Sequence, residues 1–288
     1  MTIHLIYGKI KQINSMEGGK DMFLTRKSFW KISIMAICYI VLGSACIAVG
    51  IAFTCFQTDA TLLFVLGALL YLFCPLLILW GRYAEGKGIL INLGNKLVGH
   101  ELKPAEFIKR YEDLKSATDL VIKKPSMEIL HLVAIAYDSL DDKENCLSAV
   151  DEMIAVASEK KKSFAKLIKT SILFSYGMTE EAEALFIEVQ GTELNFLCQT
   201  LRDSLLKSDR AMAMGDYKTV EIYNLKLLAQ TFPKLNNLSK LLLHFKLGEI
   251  YEKLQDKEKA IFYYQYCVNH GGETAIKEAA KNALERVS

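Results

Sequence analysis

Residues Leu247–Cys267 read LGEIYEKLQDKEKAIFYYQYC. Leu247, Gly248 and Tyr251 precede the polar triplet Gln255-Asp256-Lys257, and Ala260 and Tyr264 follow it. Apolar residues three and four apart share one helix face, so the stretch predicts two helices joined by a tight turn. Gly248 and Ala260 are the small residues that let such helices cross closely, and Tyr251 and Tyr264 fill the space around the crossing. A hairpin of this kind buries its apolar face only against neighbours. One copy therefore asks for others.

Weaker copies stand upstream. From Met127, the residues Ala134, Tyr137, Cys146, Val150 and Met153 occupy packing points around the turn LDDKEN of residues 140–145. From Ser163, Leu173, Ala182, Phe186 and Val189 do the same, and GMTEEAEALF spans the turn and second helix. From Leu201, Ala211, Val220 and Leu227 surround Gly215-Asp216-Tyr217, Pro233 closes the unit, and Asn224 is a misfit on a packing point. With the fourth copy starting at Leu241, the starts lie 36, 38 and 40 residues apart.

Counted from Leu241, the fourth copy places Leu247, Gly248, Tyr251, Ala260 and Tyr264 at positions 7, 8, 11, 20 and 24. This pattern resembles the tetratricopeptide repeat, a helix–turn–helix of about 34 residues. His244 stands at the family's usual Trp position, Gly272 at its usual Pro, and the spacing is longer than the family's. The resemblance implies an α-solenoid of about four hairpins over residues 104–288, ended by a capping helix over Glu273–Val287. It further implies that first-helix residues near positions 2, 5, 9 and 12 line a concave groove. Those are His131, Ile135 and Asp138, then Leu167, Ser171 and Phe174, then Leu205, Asp209 and Met212, then Phe245, Glu249 and Glu252. The lining is apolar with acidic points and lacks the Lys/Asn/Arg clamp that some family members use for C-terminal carboxylates. It suits a peptide with apolar anchors and basic residues.

The first third of the chain is different. Between Ile32 and Trp80 the single charged residue is Asp59. Roughly 20 apolar residues cross a ~30 Å hydrocarbon core, so residues 32–56 and 61–80 predict two membrane spans in a tight hairpin. A cleaved signal peptide does not fit, because the run is too long and a second follows at once. Arg26, Lys27 and Lys31 precede the first span, Arg82 and Lys87 follow the second, and the connecting loop has no Lys or Arg. The positive-inside rule then places both termini in the cytoplasm, and the expected location is the cell membrane. Small residues recur every seven positions: Ala36, Gly43 and Gly50 on the first span, Ala60, Gly67 and Cys74 on the second. They form faces for close helix packing, within the hairpin or between copies of the chain. No ionisable residue sits inside either span, which disfavours an ion or proton path.

Residues 1–31 read as a basic leader. EGGKDM, ending at Met22, back-translates in one codon choice to a bacterial ribosome-binding site and start, so translation is expected to begin at Met22 and residues 1–21 to be untranslated. Residues 81–103, with glycines at 81, 86, 88, 94 and 99, read as an irregular or short-helical juxtamembrane linker. Pro104 opens an amphipathic helix that Pro125 ends. The fold expected is all-α, a transmembrane hairpin followed by the solenoid.

From Gly81 onward 29 Lys/Arg face 30 Asp/Glu. That balance disfavours nucleic acid, whose binders carry a basic excess. Seven cysteines without a CxxC or a Cys/His cluster support neither a disulfide framework nor a zinc site. No phosphate-loop, dinucleotide, zincin or nucleophile-elbow motif occurs, and the five histidines share no ligand spacing. No cofactor and no enzyme activity is expected. The reading is a membrane-anchored scaffold that recruits a protein or peptide partner at the bilayer. The alternative is an accessory subunit of a bacterial export or signalling complex, contacting partners through its transmembrane hairpin.

Overall fold

A computed structural model describes residues 40–49, 51, 64–65, 67–69, 86–116, 125–190, 196–229 and 235–288, and among them there is no strand. The chain divides into two units, Met1–Gly88 and Ile89–Ser288.

In the first unit residues 40–49, 51, 64–65 and 67–69 are helical. Ile40, Val41, Leu42, Val49, Ile51, Val65 and Leu69 are exposed. A Cβ on Gly67 would lie 2.7 Å from Ile47 Cγ1 and 3.2 Å from the Gly43 carbonyl, so Gly67 packs closely there. Most of the two expected spans, with Ala36, Gly50, Ala60 and Cys74, lies outside the described residues, as do the leader and Met22. Among the described residues no helix is long and apolar enough to cross a membrane.

The second unit contains α1 (Pro104–Ser116), α2 (Met127–Asp138), α3 (Lys143–Val156), α4 (Glu159–Ser175), α5 (Thr179–Gln190) and α6 (Phe196–Leu205). α6 runs through a π-helical turn, Leu206–Arg210, into a last α-turn, Ala211–Ala213. Then come α7 (Tyr217–Ala229), α8 (Asn237–Lys253), α9 (Lys257–His270) and α10 (Ala275–Val287). Pro104 sits at the first helical position as expected, and the capping helix starts two residues later than Glu273.

Four turns share one geometry. Asp141, Gly177, Gly215 and Gln255 take left-handed φ values of 58°, 71°, 77° and 60°. The next N–H returns five residues to a carbonyl: Asp142 to Tyr137, Met178 to Leu173, Asp216 to Ala211 and Asp256 to Tyr251, at 2.9–3.0 Å. This is the Schellman closure, which satisfies carbonyls that a helix end leaves open. In three of them the following Asp also caps the next helix: Asp142, Asp216 and Asp256 each accept from a backbone N–H three residues on, at 3.2 Å. The turns fall at 142, 178, 216 and 256, which repeats the 36-, 38- and 40-residue spacing of the sequence copies. Four helical hairpins are therefore in phase.

The packing points follow. Ala134, Cys146, Val150, Met153, Ala182, Phe186, Val189, Val220, Leu247, Ala260 and Tyr264 are at most 1% exposed. Tyr251 is buried as well, whereas Tyr137 stays partly exposed. A Cβ on Gly248 would meet the Tyr264 ring at 2.6 Å, so the ring lies directly on the α8 backbone. His244 stacks on Tyr266 with centroids 3.6 Å apart.

The hairpin array closes on itself. Residues 86–94 are helical and lead into a π-helical turn, Asn95–His100. Residues 89–103 form an arm, of which the π turn packs against α1, α2 and α8. Of the linker expected over residues 81–103 as irregular or short-helical, residues 86–100 are helical. Leu90, Leu97, Val98 and Leu102 find a closed core to enter and are at most 4% exposed. Asn237 Nδ2 donates to the His100 carbonyl at 2.6 Å, and the N–H groups of Glu273 and Ala275 donate to the Leu102 and Ser139 carbonyls at 2.9 Å. Gly272 has φ 56°, and a Cβ there would lie 2.6 Å from Leu102 Cβ. The missing proline at this position has a physical reason: the seam needs a residue without a side chain.

Candidate binding face

The first helices of the four hairpins are α2, α4, α6 with its continuation, and α8. The groove positions expected on them separate into two groups. Leu167, Phe174 and Leu205 are buried at 0, 7 and 1% exposure in one apolar cluster with Leu173, Ala182, Phe186 and Val189. They hold the second hairpin against the third and do not line a groove. Their large apolar side chains gain more from that interface than from solvent. His131, Ile135, Asp138, Ser171, Asp209, Met212, Phe245, Glu249 and Glu252 stay partly exposed.

Four groups on three hairpins build a polar network. Ser171 Oγ donates to one Asp209 carboxylate oxygen, and Lys246 Nζ donates to the other. Lys246 also donates to Ser208 Oγ at 3.1 Å. The π-helical turn contributes both Ser208 and Asp209. Such turns insert a residue into the helical register, which brings consecutive side chains to one wall. Asp209 has only 12% of its side chain exposed.

Asp138, at the end of α2 on the first hairpin, belongs to the same neighbourhood. Burial pushes its carboxyl up. The Tyr176 hydroxyl and Lys246 pull it down, and Asp141 and Asp209 push it further up. The Tyr176 hydroxyl lies near Asp138 without reaching good hydrogen-bond geometry. Burial likewise raises Glu249; Lys246 opposes this and Glu252 adds to it. Partial burial also pushes at Glu252, but hydrogen bonds from Tyr264 (2.7 Å) and Arg286 (3.3 Å) hold it below its ordinary value. Lys246 thus pairs with Asp209 of the third hairpin and opposes the rise at Asp138 of the first and Glu249 of the fourth, where Lys253 and Arg286 also act.

Other groups are tuned away from chemistry. Burial, and then Asp138, push the Cys146 thiol up to about 12; burial, and then Glu249, do the same at Cys267. Thiols of that kind are not nucleophiles near neutrality. Burial lowers His131, and burial, His270 and Lys240 lower His244 to about 4. Among the described residues no group of His, Cys, Asp or Glu could hold a metal ion.

Lys246 and Ser208 are the members that the repeat positions do not pick out. The available signal for Lys246 was a lone charge in the apolar run LLLHFKLG. Comparisons with protein-family models, with curated proteins and with solved structures find no match to this chain.

Proposed function

We propose that this chain is a membrane-anchored adaptor of the tetratricopeptide-like class, whose hairpin array binds a basic peptide segment of a partner protein along its inner wall. The observation that carries the reading is the grouping of Asp138, Asp209 and Glu249 around Lys246, which pairs directly with Asp209. Burial keeps the Asp138 and Glu249 carboxyls raised although Lys246, and at Glu249 also Lys253 and Arg286, oppose it, and a guest Lys or Arg adds counter-charge there. Charge complementarity of this kind sets which partners are accepted more than how tightly they bind.

Anchoring by a transmembrane hairpin is the second element. The nearly uncharged runs at 32–56 and 61–80 support it, as do the exposed Ile40, Val41, Leu42 and Val49 on helical backbone. The positive flanks favour an array on the cytoplasmic face of the cell membrane. Gly67 lies against Gly43, so these two small residues meet within the hairpin. That favours the anchor over an accessory subunit that meets partners through the same faces.

Panning a random peptide library against the full chain in lipid nanodiscs tests the reading. Basic peptides with apolar anchors should be enriched, and Asp138→Asn with Glu249→Gln should lower their affinity about tenfold. Enrichment of acidic peptides, or affinity unchanged in the double variant, sinks it.

A further inference from the structure

We propose that the seam joining the arm to the α9–α10 loop is a latch, and that the array opens there rather than between hairpins. The part of this inference that concerns a guest peptide rests on the reading above; the opening itself does not.

The junctions differ in kind. Successive hairpins are tied by side-chain pairs: Lys161 to Glu128, Arg210 to Glu183, and Lys246 to Asp209. Among the described residues no ion pair crosses the seam. It is held by the backbone bonds from Glu273 to Leu102 and from Ala275 to Ser139, and by the Asn237 amide on His100. Leu102 is kept at φ 56°, a left-handed conformation that leucine adopts at a cost. The close contact under Gly272 leaves no room for adjustment. Beside the buried Leu97, Val98 and Leu102 of the arm, the seam itself joins by a few directional bonds and one close fit. Small openings lose all of them together.

Asp138 on the first hairpin feels both Asp209 of the third and Lys246 of the fourth, so charges on the inner faces of three hairpins act on one another. A peptide must part these faces to enter, and parting them separates the carboxylates of Asp138 and Asp209. The seam is where this relief is available without breaking an interhelical ion pair.

Hydrogen exchange read by mass spectrometry on the full chain in nanodiscs tests the latch. Segments 97–103 and 271–276 should exchange together, about a hundredfold faster than the hairpin turns around Asp142 and Asp256. Gly272→Val should speed both seam segments further and leave those turns protected. If that variant does not fold, Asn237→Ala should speed the seam several-fold. Seam protection equal to that of the hairpin turns overturns the latch. So does a folded Gly272→Val chain, or an Asn237→Ala chain, with unchanged seam exchange. In the same preparation, a synthetic decapeptide alternating Lys and Leu should bind Gly272→Val, or Asn237→Ala in its place, about tenfold more tightly than wild type. A seam that opens in a chain with no affinity for this peptide would leave the latch standing and remove the peptide reading.

Discussion

The third and fourth hairpins share a turn and little else. Both close with the same Schellman bonds, Asp216 to Ala211 and Asp256 to Tyr251. In the fourth, Tyr264 lies on the bare backbone of Gly248, and every packing point is apolar, small or aromatic. In the third, the corresponding position is Asn224, 0% exposed, with neither amide atom hydrogen-bonded. The third also bears the π-helical turn. Yet that hairpin supplies Ser208 and Asp209, the acceptors around Lys246. Both hairpins reach the polar wall, the fourth with Lys246 and Glu249, but the irregularities gather in the third, which brings Ser208 and Asp209 to it. Departures from a repeat pattern are thus the places to search for function.

The largest expected effect breaks the regular member. Gly248→Ala drives a Cβ into the Tyr264 ring and should cost about 2–3 kcal/mol, seen as a lower thermal midpoint of the full chain in micelles. Next is the wall itself. Lys246→Met leaves Asp209 without its cation and should cost about 2 kcal/mol, whereas Asp209→Asn with Lys246→Met together should cost less than the single change. A double-mutant cycle that finds the two changes additive would remove the network from the account.

The opposite sign is expected at Asn224. Asn224→Leu removes two unsatisfied buried atoms and should stabilise by about 1–2 kcal/mol. A loss of stability would mean that the site holds a water or needs the smaller volume. A smaller change tests the shared turn: Asp142→Ala deletes a helix cap and should cost about 1 kcal/mol, with faster exchange confined to the start of α3.

Acidity gives a further distinction. Asp138 and Glu249 have carboxyls raised in the folded chain, so the folded state holds their protons more tightly than the unfolded state does. Their contribution favours folding below the ordinary carboxylate range, near about 4, and is lost as pH rises through the raised values. Asp138→Asn with Glu249→Gln should therefore raise the melting temperature more at neutral pH than at pH about 4. An equal shift at both would place these carboxylates in ordinary solvent.

Much of this architecture was legible because hairpin phase depends on local chemistry. Polar turns and small or aromatic packing residues gave all four hairpins with their spacing. What escaped depends on distant residues. The Gly-rich segment before Pro104 suggests an irregular or short-helical linker, since no local signal announces that Leu97 and Leu102 enter a closed array. Groove positions taken from an open solenoid included Leu167, Phe174 and Leu205, which a tighter array consumes as core. Lys246 was passed over because its partners, Ser208 and Asp209, lie nearly forty residues away on a turn whose π register the sequence does not announce.

The most direct measurement places a photoreactive phenylalanine analogue at Phe245 on the inner wall, or at Phe262, 64% exposed on α9, in the full chain in lipid nanodiscs. A basic, apolar-anchored peptide carrying an affinity label is then added and the sample irradiated. The account predicts a labelled adduct from position 245 that Lys-rich competitor abolishes, and none from position 262. Adducts from position 262 alone, or equally from both, would contradict it.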